Sequence, residues 1–180
     1  MGTQIAPSIL PVTVTDARTS EGYELSRLGE GLVTGLIGAA AIAGFFFSVD
    51  LARGQPLHTP TILGTALLRG PAAVAHPETI SVSIAMVTFF TLVHFLVFAG
   101  IGVVASSLVR LGERYPDASY GALVLIVMAL YGFEAACAVF AVEVVGALGA
   151  GQFFAANLLA VLGMSGFLWY RHPRFQILTE

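Results

Sequence analysis

The chain has 180 residues, of which 57% are hydrophobic and only 11% are charged, and its mean hydropathy is +0.87. Soluble domains carry charge on about 25% of their residues. This deficit excludes a soluble enzyme, a disordered regulator and a nucleic-acid binder of the basic-patch kind. One cysteine cannot form a disulfide framework, and a net charge of −3 is too small to attract a charged macromolecule. The composition therefore predicts an integral membrane protein.

Apolar runs of the length that a membrane span requires occur four times. A helix needs about 20 apolar residues to cross the hydrocarbon core of a bilayer. The predicted spans cover approximately residues 31–51, 81–109, 119–146 and 151–170. We therefore predict an all-α fold, in which one transmembrane domain over residues 31–170 forms a four-helix bundle.

Two tails flank this domain. The N-terminal tail, residues 1–30, contains Pro7 and Pro11, and we expect it to be mostly extended and to become helical near Tyr23. Its first arginine is Arg18 and no apolar core follows at once, so we do not expect a cleavable signal peptide. The C-terminal tail is residues 171–180.

The loop between the first two spans, residues 52–80, is the longest connection and contains an apolar stretch over residues 61–68. Thr59 in the N-cap position and Pro60 in the first helical position predict a helix start. A helix of roughly ten residues is too short to cross the bilayer. We expect it to lie at the membrane surface, or to dip into the membrane under cover of the bundle.

The arginines are distributed unevenly about the predicted spans. Two lie in the first loop, Arg53 and Arg69, and none lies in the third. The other six lie in the tails and the second loop: Arg18, Arg27, Arg110, Arg114, Arg171 and Arg174. Because cytoplasmic loops carry the excess of basic residues, we expect both termini to be cytoplasmic. The character of residues 54–60 and 94–98 suggests a multi-pass protein of the bacterial inner membrane.

Small residues recur at four-residue spacing along the first span: Gly31, Gly35, Ala39 and Ala43. Membrane helices gain little from hydrophobicity when they associate, so small side chains that let backbones touch mark the contact faces. This face is therefore predicted to be the central seam of the bundle.

Two ionisable residues, His94 and Glu134, are predicted to lie near the bilayer midplane. Such a group costs at least ~2.5 kcal/mol in the membrane and needs a partner or a purpose. Consecutive antiparallel spans would place the two at one depth, so we predict that they face each other, with Thr91 and Tyr131 one turn away. The pair would either lock two helices in register or carry out proton transfer, metal ligation or ligand contact.

Further residues of metal-ligand type are Asp50, His58, His76 and Glu143. No ligand spacing joins them, so a metal site here is a minor hypothesis, and Asp50 is expected to form a helix-end ion pair with Arg53. Many phenylalanines would also suit a quinone or a pigment. A haem held by histidines would have to be shared with a partner chain. No motif selects any of these cofactors.

No sequence motif names a reaction, and four short helices with one midplane pair offer little polar lining for a transporter. We therefore expect the lipid bilayer and other membrane chains as partners, and no nucleic acid. The favoured function is an accessory or structural subunit that packs against a larger membrane assembly, such as an electron-transfer or photosynthetic complex, or against copies of itself. The alternative is a small membrane redox or proton-coupled enzyme that uses His94 and Glu134 as ligands or proton carriers.

Overall fold

The computed structural model describes residues 14–114 and 149–172, and the side chains of residues 28–114, 149 and 151–172. Within these ranges the chain is all-helical and contains no strand. The elements are α1 (Val14–Ala52), α2 (His58–Arg69), two 3-10 turns (Pro71–Val74 and Pro77–Thr79), α3 (Ile84–Arg114) and α4 (Ala150–Arg171).

Three segments in the described ranges are long and apolar enough to cross a membrane: Leu28–Ala52, Ile84–Arg114 and Gly151–Arg171. They correspond to the first, second and fourth predicted spans, so the prediction of an all-helical chain with apolar helices of membrane-spanning length is confirmed for these three. The predicted span over residues 119–146 lies outside the described residues.

The first helix begins earlier than the sequence analysis predicted, at Val14 rather than near Tyr23. The last proline before it is Pro11, and the residues that follow include good helix formers such as Ala17, Glu21 and Glu24. Helix propensity therefore extends α1 well before the apolar run, although the polar composition gave no amphipathic pattern that would predict it.

α1 and α3 pack against each other in antiparallel orientation. Gly31 lies against Val103, and Gly35, one turn further along α1, lies against Phe98, which comes earlier in α3. The contacts of α1 therefore run in the opposite direction along α3, as expected for helices joined by one loop.

The backbones of these two helices touch along a seam of small residues. A Cβ atom on Gly35 would overlap the carbonyl oxygen of Phe98, and one on Gly102 would overlap main-chain atoms of Gly31 and Gly35. Ala39 continues the seam and is 0% exposed. Ala43 is exposed and borders a cavity between α1, α2 and α3.

α4 packs on another side of α1, also in antiparallel orientation. Near the middle of α1, Gly38 lies against Met164, and toward its end Phe46 contacts Phe153 with ring centroids 5.6 Å apart. Since α3 and α4 are both antiparallel to α1, they run parallel to each other. The last residue of α3 and the first residue of α4 therefore lie at opposite ends of the helices.

The short helix predicted in the first loop is present as α2, but it begins one residue before Thr59. Its N-cap is Leu57, whose φ of 67° places it in the left-handed region. The buried face of α2 packs on the start of α3, where Gly64 approaches the carbonyl of Met86 so closely that a Cβ atom would overlap it. The main chain of Ser83 donates a hydrogen bond of 3.3 Å to Thr61 Oγ1 and fixes the entry to α3.

Candidate functional site

His94 is the ionisable side chain that lies deepest in α3, about 15 Å along the axis from the first residue of the helix. Its Nε2 atom donates a hydrogen bond of 3.2 Å to the main-chain carbonyl of Ala39 in α1. The ring stacks on Phe90 at 5.4 Å and contacts Phe98 at 4.8 Å. A carbonyl only accepts, so in the neutral imidazole Nε2 carries the proton and Nδ1 is an acceptor. His94 thus links α3 to α1 and keeps one nitrogen for a second partner.

The predicted partner of His94, Glu134, and the neighbouring Tyr131 lie outside the described residues, so their pairing stays a prediction. Thr91 lies one turn before His94, is exposed, and borders the same cavity. The structure thus brings Thr91 and His94 to one surface, which the spacing in the sequence also predicts.

Asp50 is buried at the end of α1, where it is 1% exposed. Its Oδ2 accepts a hydrogen bond of 2.7 Å from the Thr59 main-chain N–H, and its Oδ1 accepts one of 2.7 Å from the Thr59 hydroxyl. The carboxylate therefore caps the N-terminus of α2, where unpaired N–H groups favour an anion. The predicted ion pair with Arg53 is wrong, because the left-handed turn at Leu57 brings Thr59 back over Asp50 while Arg53 is exposed.

A cavity of about 350 Å³ lies between the second half of α1, the start of α2 and the first half of α3. Its wall is mostly aromatic and aliphatic, with phenylalanine side chains from both α1 and α3. The polar residues that border it are Asp50, Thr59, Thr91 and His94. Asp50 and Thr59 are hydrogen-bonded to each other. The polar side chains in this wall that can form a hydrogen bond with a ligand are therefore Thr91 and His94.

A second polar site, the ionic cluster of Glu30, Arg110, Glu113 and His172, joins the middle of α1 to the C-terminal ends of α3 and α4. His172 Nε2 lies 2.8 Å from Glu30 Oε1, and His172 Nδ1 lies 3.0 Å from Glu113 Oε1. Arg110 Nη1 is 3.5 Å from Glu30 Oε2, and its Nη2 donates to Ser106 Oγ at 3.0 Å. Each ring nitrogen of His172 therefore lies within hydrogen-bonding distance of a carboxylate oxygen.

Sequence reasoning missed the ionic cluster, because it assigned Glu30 and His172 to polar tails. The signal was present: Glu30 directly precedes the first apolar run, and Arg110 and Glu113 follow the second at a spacing of three residues. Antiparallel spans place the start of one beside the end of the next, and residues three apart share a helix face. The side chains of Glu30 and His172 are only 7% and 12% exposed, so the contact between them is largely shielded from solvent.

The residues of metal-ligand type do not converge in the described part of the chain. No group of three histidine, cysteine, aspartate or glutamate side chains there is close enough to hold a metal ion. Both carboxylate oxygens of Asp50 accept hydrogen bonds from Thr59. His76 Nδ1 lies 3.5 Å from Glu78 Oε1 on the exposed surface. His58 lies at the start of α2, and Glu143 lies outside the described residues.

The chain matches no known protein family, no curated protein and no solved structure.

Proposed function

We propose that the chain is a structural subunit of a bacterial inner membrane, which packs against other membrane chains, including copies of itself. The observation that carries this proposal is that the buried polar side chains form hydrogen bonds and ion pairs between helices. His94 bonds to the main chain of α1, Asp50 caps α2, and Glu30 contacts both α3 and the end of α4. Side chains occupied in this way hold a scaffold together and do not line a route for a polar solute.

The proposed architecture is a bundle of four membrane helices. In this proposal α3 and α4 both cross the membrane, and because they run parallel, the proposed chain crosses it once more between Arg114 and Gly149. The sequence offers an apolar run of sufficient length in this interval, residues 119–146. A fourth span within residues 119–146 accounts for both facts.

Both termini of the proposed subunit face the cytoplasm. Arg110 and Arg114 lie at the end of α3 that meets the ionic cluster, and Arg171 lies beside His172 at the same end. Arg53 and Arg69 flank α2 at the other end. The excess of arginine at the end with the ionic cluster supports a cytoplasmic position for it.

The outer surface of the spans offers faces on which a second chain can pack closely. Gly44, Gly100 and Gly166 are exposed, one on each long helix, and a Cβ atom at any of them would meet nothing within 4 Å; Gly44 also borders the cavity between α1, α2 and α3. Large apolar side chains surround them, including Leu96, which is 75% exposed, and Leu162, which is 60% exposed. A glycine among large residues lets two membrane helices approach until their backbones are in contact.

Replacement of these glycines by leucine tests the proposal, and a variant that keeps the helix content and the unfolding transition of the wild type reports on contacts between chains. The mass of the protein in nanodiscs or mild detergent is compared for wild type, Gly44→Leu, Gly100→Leu and Gly166→Leu. We expect a wild-type mass of at least two chains and a smaller mass for at least one variant, with unchanged helix content. The variants that do not change the mass serve as matched controls for the one that does, because each replaces an exposed glycine by leucine on a different helix. A wild type that is a single chain and is isolated without another membrane protein contradicts the proposal.

The cavity beside His94 favours one second candidate, a small membrane redox or proton-coupled enzyme that uses His94 and Glu134. In that case His94→Phe abolishes activity or cofactor content while the assembly keeps its mass. For a structural subunit the same variant weakens the packing of α3 on α1, because the bond to Ala39 is lost.

A further inference from the structure

The cavity between α1, α2 and α3 has the volume and lining of a site for an apolar ring. Phe46 and Phe47 of α1 and Phe90 and Phe95 of α3 contribute aromatic wall. Its volume of about 350 Å³ is roughly twice that of an engineered cavity of ~150 Å³ that binds benzene. A substituted six-membered ring therefore fits, and aromatic side chains contact such a ring through stacked and edge-to-face geometries.

The polar groups available in this wall are those of α3. The Nε2–H of His94 is already donated to Ala39, which makes Nδ1 an acceptor in the neutral ring. Thr91 lies one turn away and its hydroxyl both donates and accepts. A ligand that matches this pair carries a hydroxyl group that donates to His94 and a second ring oxygen within reach of Thr91.

Two of the three helices that form the cavity, α1 and α3, are long and apolar enough to span a membrane, so we expect its ligand to enter from the lipid and to carry an apolar tail. An acyl chain of a phospholipid would fill the apolar part but would leave Nδ1 of His94 without a donor, which is costly away from water. These observations together select a ring that carries hydroxyl groups and an apolar tail. We propose that this cavity binds the ring of a lipid-soluble quinol through His94 and Thr91. The site is independent of whether the chain assembles with partners.

Binding of decylubiquinol, kept in its reduced form, to the full chain in phospholipid nanodiscs tests this proposal, with empty nanodiscs as the reference for partition. We expect saturable binding of one molecule per chain. Decylubiquinone should bind at least about threefold more weakly, because its ring carbonyls cannot donate to Nδ1 of His94. Equal binding of the two forms overturns the proposal.

Three variants locate the site. Thr91→Val should weaken decylubiquinol binding about threefold to tenfold, the effect of one lost hydrogen bond. Thr88→Val, the matched control one turn earlier on α3 and outside the cavity wall, should change nothing. Ala43→Leu, which fills the cavity from α1 and leaves the bond between His94 and Ala39 in place, should abolish saturable binding.

Two results would overturn this assignment. Binding that neither Thr91→Val nor Ala43→Leu reduces would place the probe elsewhere on the protein or in the lipid. If decylubiquinol binds to Glu134→Ala but not to the wild type, the partner of His94 Nδ1 in the wild type is Glu134 and not the ligand. His94→Phe is not required for either decision, so a loss of folding in that variant does not obscure the outcome.

Discussion

Removal of the carboxylate that joins α1 to α2 should weaken the attachment of the first turn of α2 to α1. Asp50→Ala deletes the two carboxylate oxygens that accept hydrogen bonds from Thr59, one from its main-chain N–H in the first turn of α2 and one from its side-chain hydroxyl. The site is 1% exposed, so water cannot replace the lost partners. The variant therefore leaves a buried donor at the start of a helix.

The expected cost follows from the two bonds. A hydrogen bond to a charged group contributes about 1.5–3 kcal/mol, and loss of an N-cap costs about 0.5–2 kcal/mol. The two terms overlap at the Thr59 N–H, so we expect Asp50→Ala to lower the free energy of unfolding by about 3 kcal/mol. Asp50→Asn should cost only about 1 kcal/mol, because the amide oxygen accepts from the N–H while the amide group donates to the hydroxyl oxygen of Thr59.

Hydrogen exchange in nanodiscs and unfolding in mixed detergent and dodecyl sulfate micelles measure these effects. Exchange of the α2 amides should accelerate at least about tenfold in Asp50→Ala, while the amides of the seam between α1 and α3 keep their protection. Thr59→Val, which removes the hydroxyl alone, should cost about 1 kcal/mol. If Asp50→Ala unfolds like wild type and the exchange of α2 is unchanged, the proposed capping role of Asp50 is incorrect.

Two further predictions concern the seam and the ionic cluster. Gly35→Ala should lower the free energy of unfolding by about 2–3 kcal/mol, since the backbone of Phe98 cannot move aside. The control Gly100→Ala should be neutral or up to about 1 kcal/mol stabilising. Equal effects of the two variants would contradict the close contact between Gly35 and Phe98. Glu30→Gln should lower the free energy of unfolding by about 2–3 kcal/mol in the same assay, because it breaks a charged contact that is largely shielded from solvent. The control Glu78→Gln changes a glutamate that is 69% exposed and should cost under about 0.5 kcal/mol. If Glu30→Gln is as stable as the wild type, the ionic cluster contributes little to stability.

The sequence predicted the features that depend on the length and polarity of a segment. Three of the predicted spans coincide with Leu28–Ala52, Ile84–Arg114 and Gly151–Arg171, and the short helix between the first two is present. These features follow from local composition, because a membrane helix needs a minimum apolar length and a proline favours a helix start. The first turn of α2 was misplaced because the left-handed conformation of Leu57 leaves no mark in the residue type.

Side-chain partners were harder to predict, since they depend on how helices are rotated about their axes. Hydropathy gives the depth of a residue in the membrane but not the face on which it lies. Glu30 and His172 are separated by 142 positions in the chain, and a contact of that kind requires the topology to be known first. Asp50 was paired with its neighbour Arg53, because a partner nine residues away across a turn has no periodic signal.

The register of the glycine seam carries this missing information for His94. Gly35 packs on Phe98 in antiparallel orientation, so one turn forward along α1 and one turn back along α3 lead to Ala39 and His94. The same steps connect the Nε2 atom of His94 to the carbonyl of Ala39 in the structure. A sequence search for a partner considers side chains and therefore overlooks a main-chain acceptor, which small residues such as Gly35 and Ala39 leave uncovered. In a membrane bundle, the residues that bring backbones together thus also determine which polar side chains find a main-chain partner.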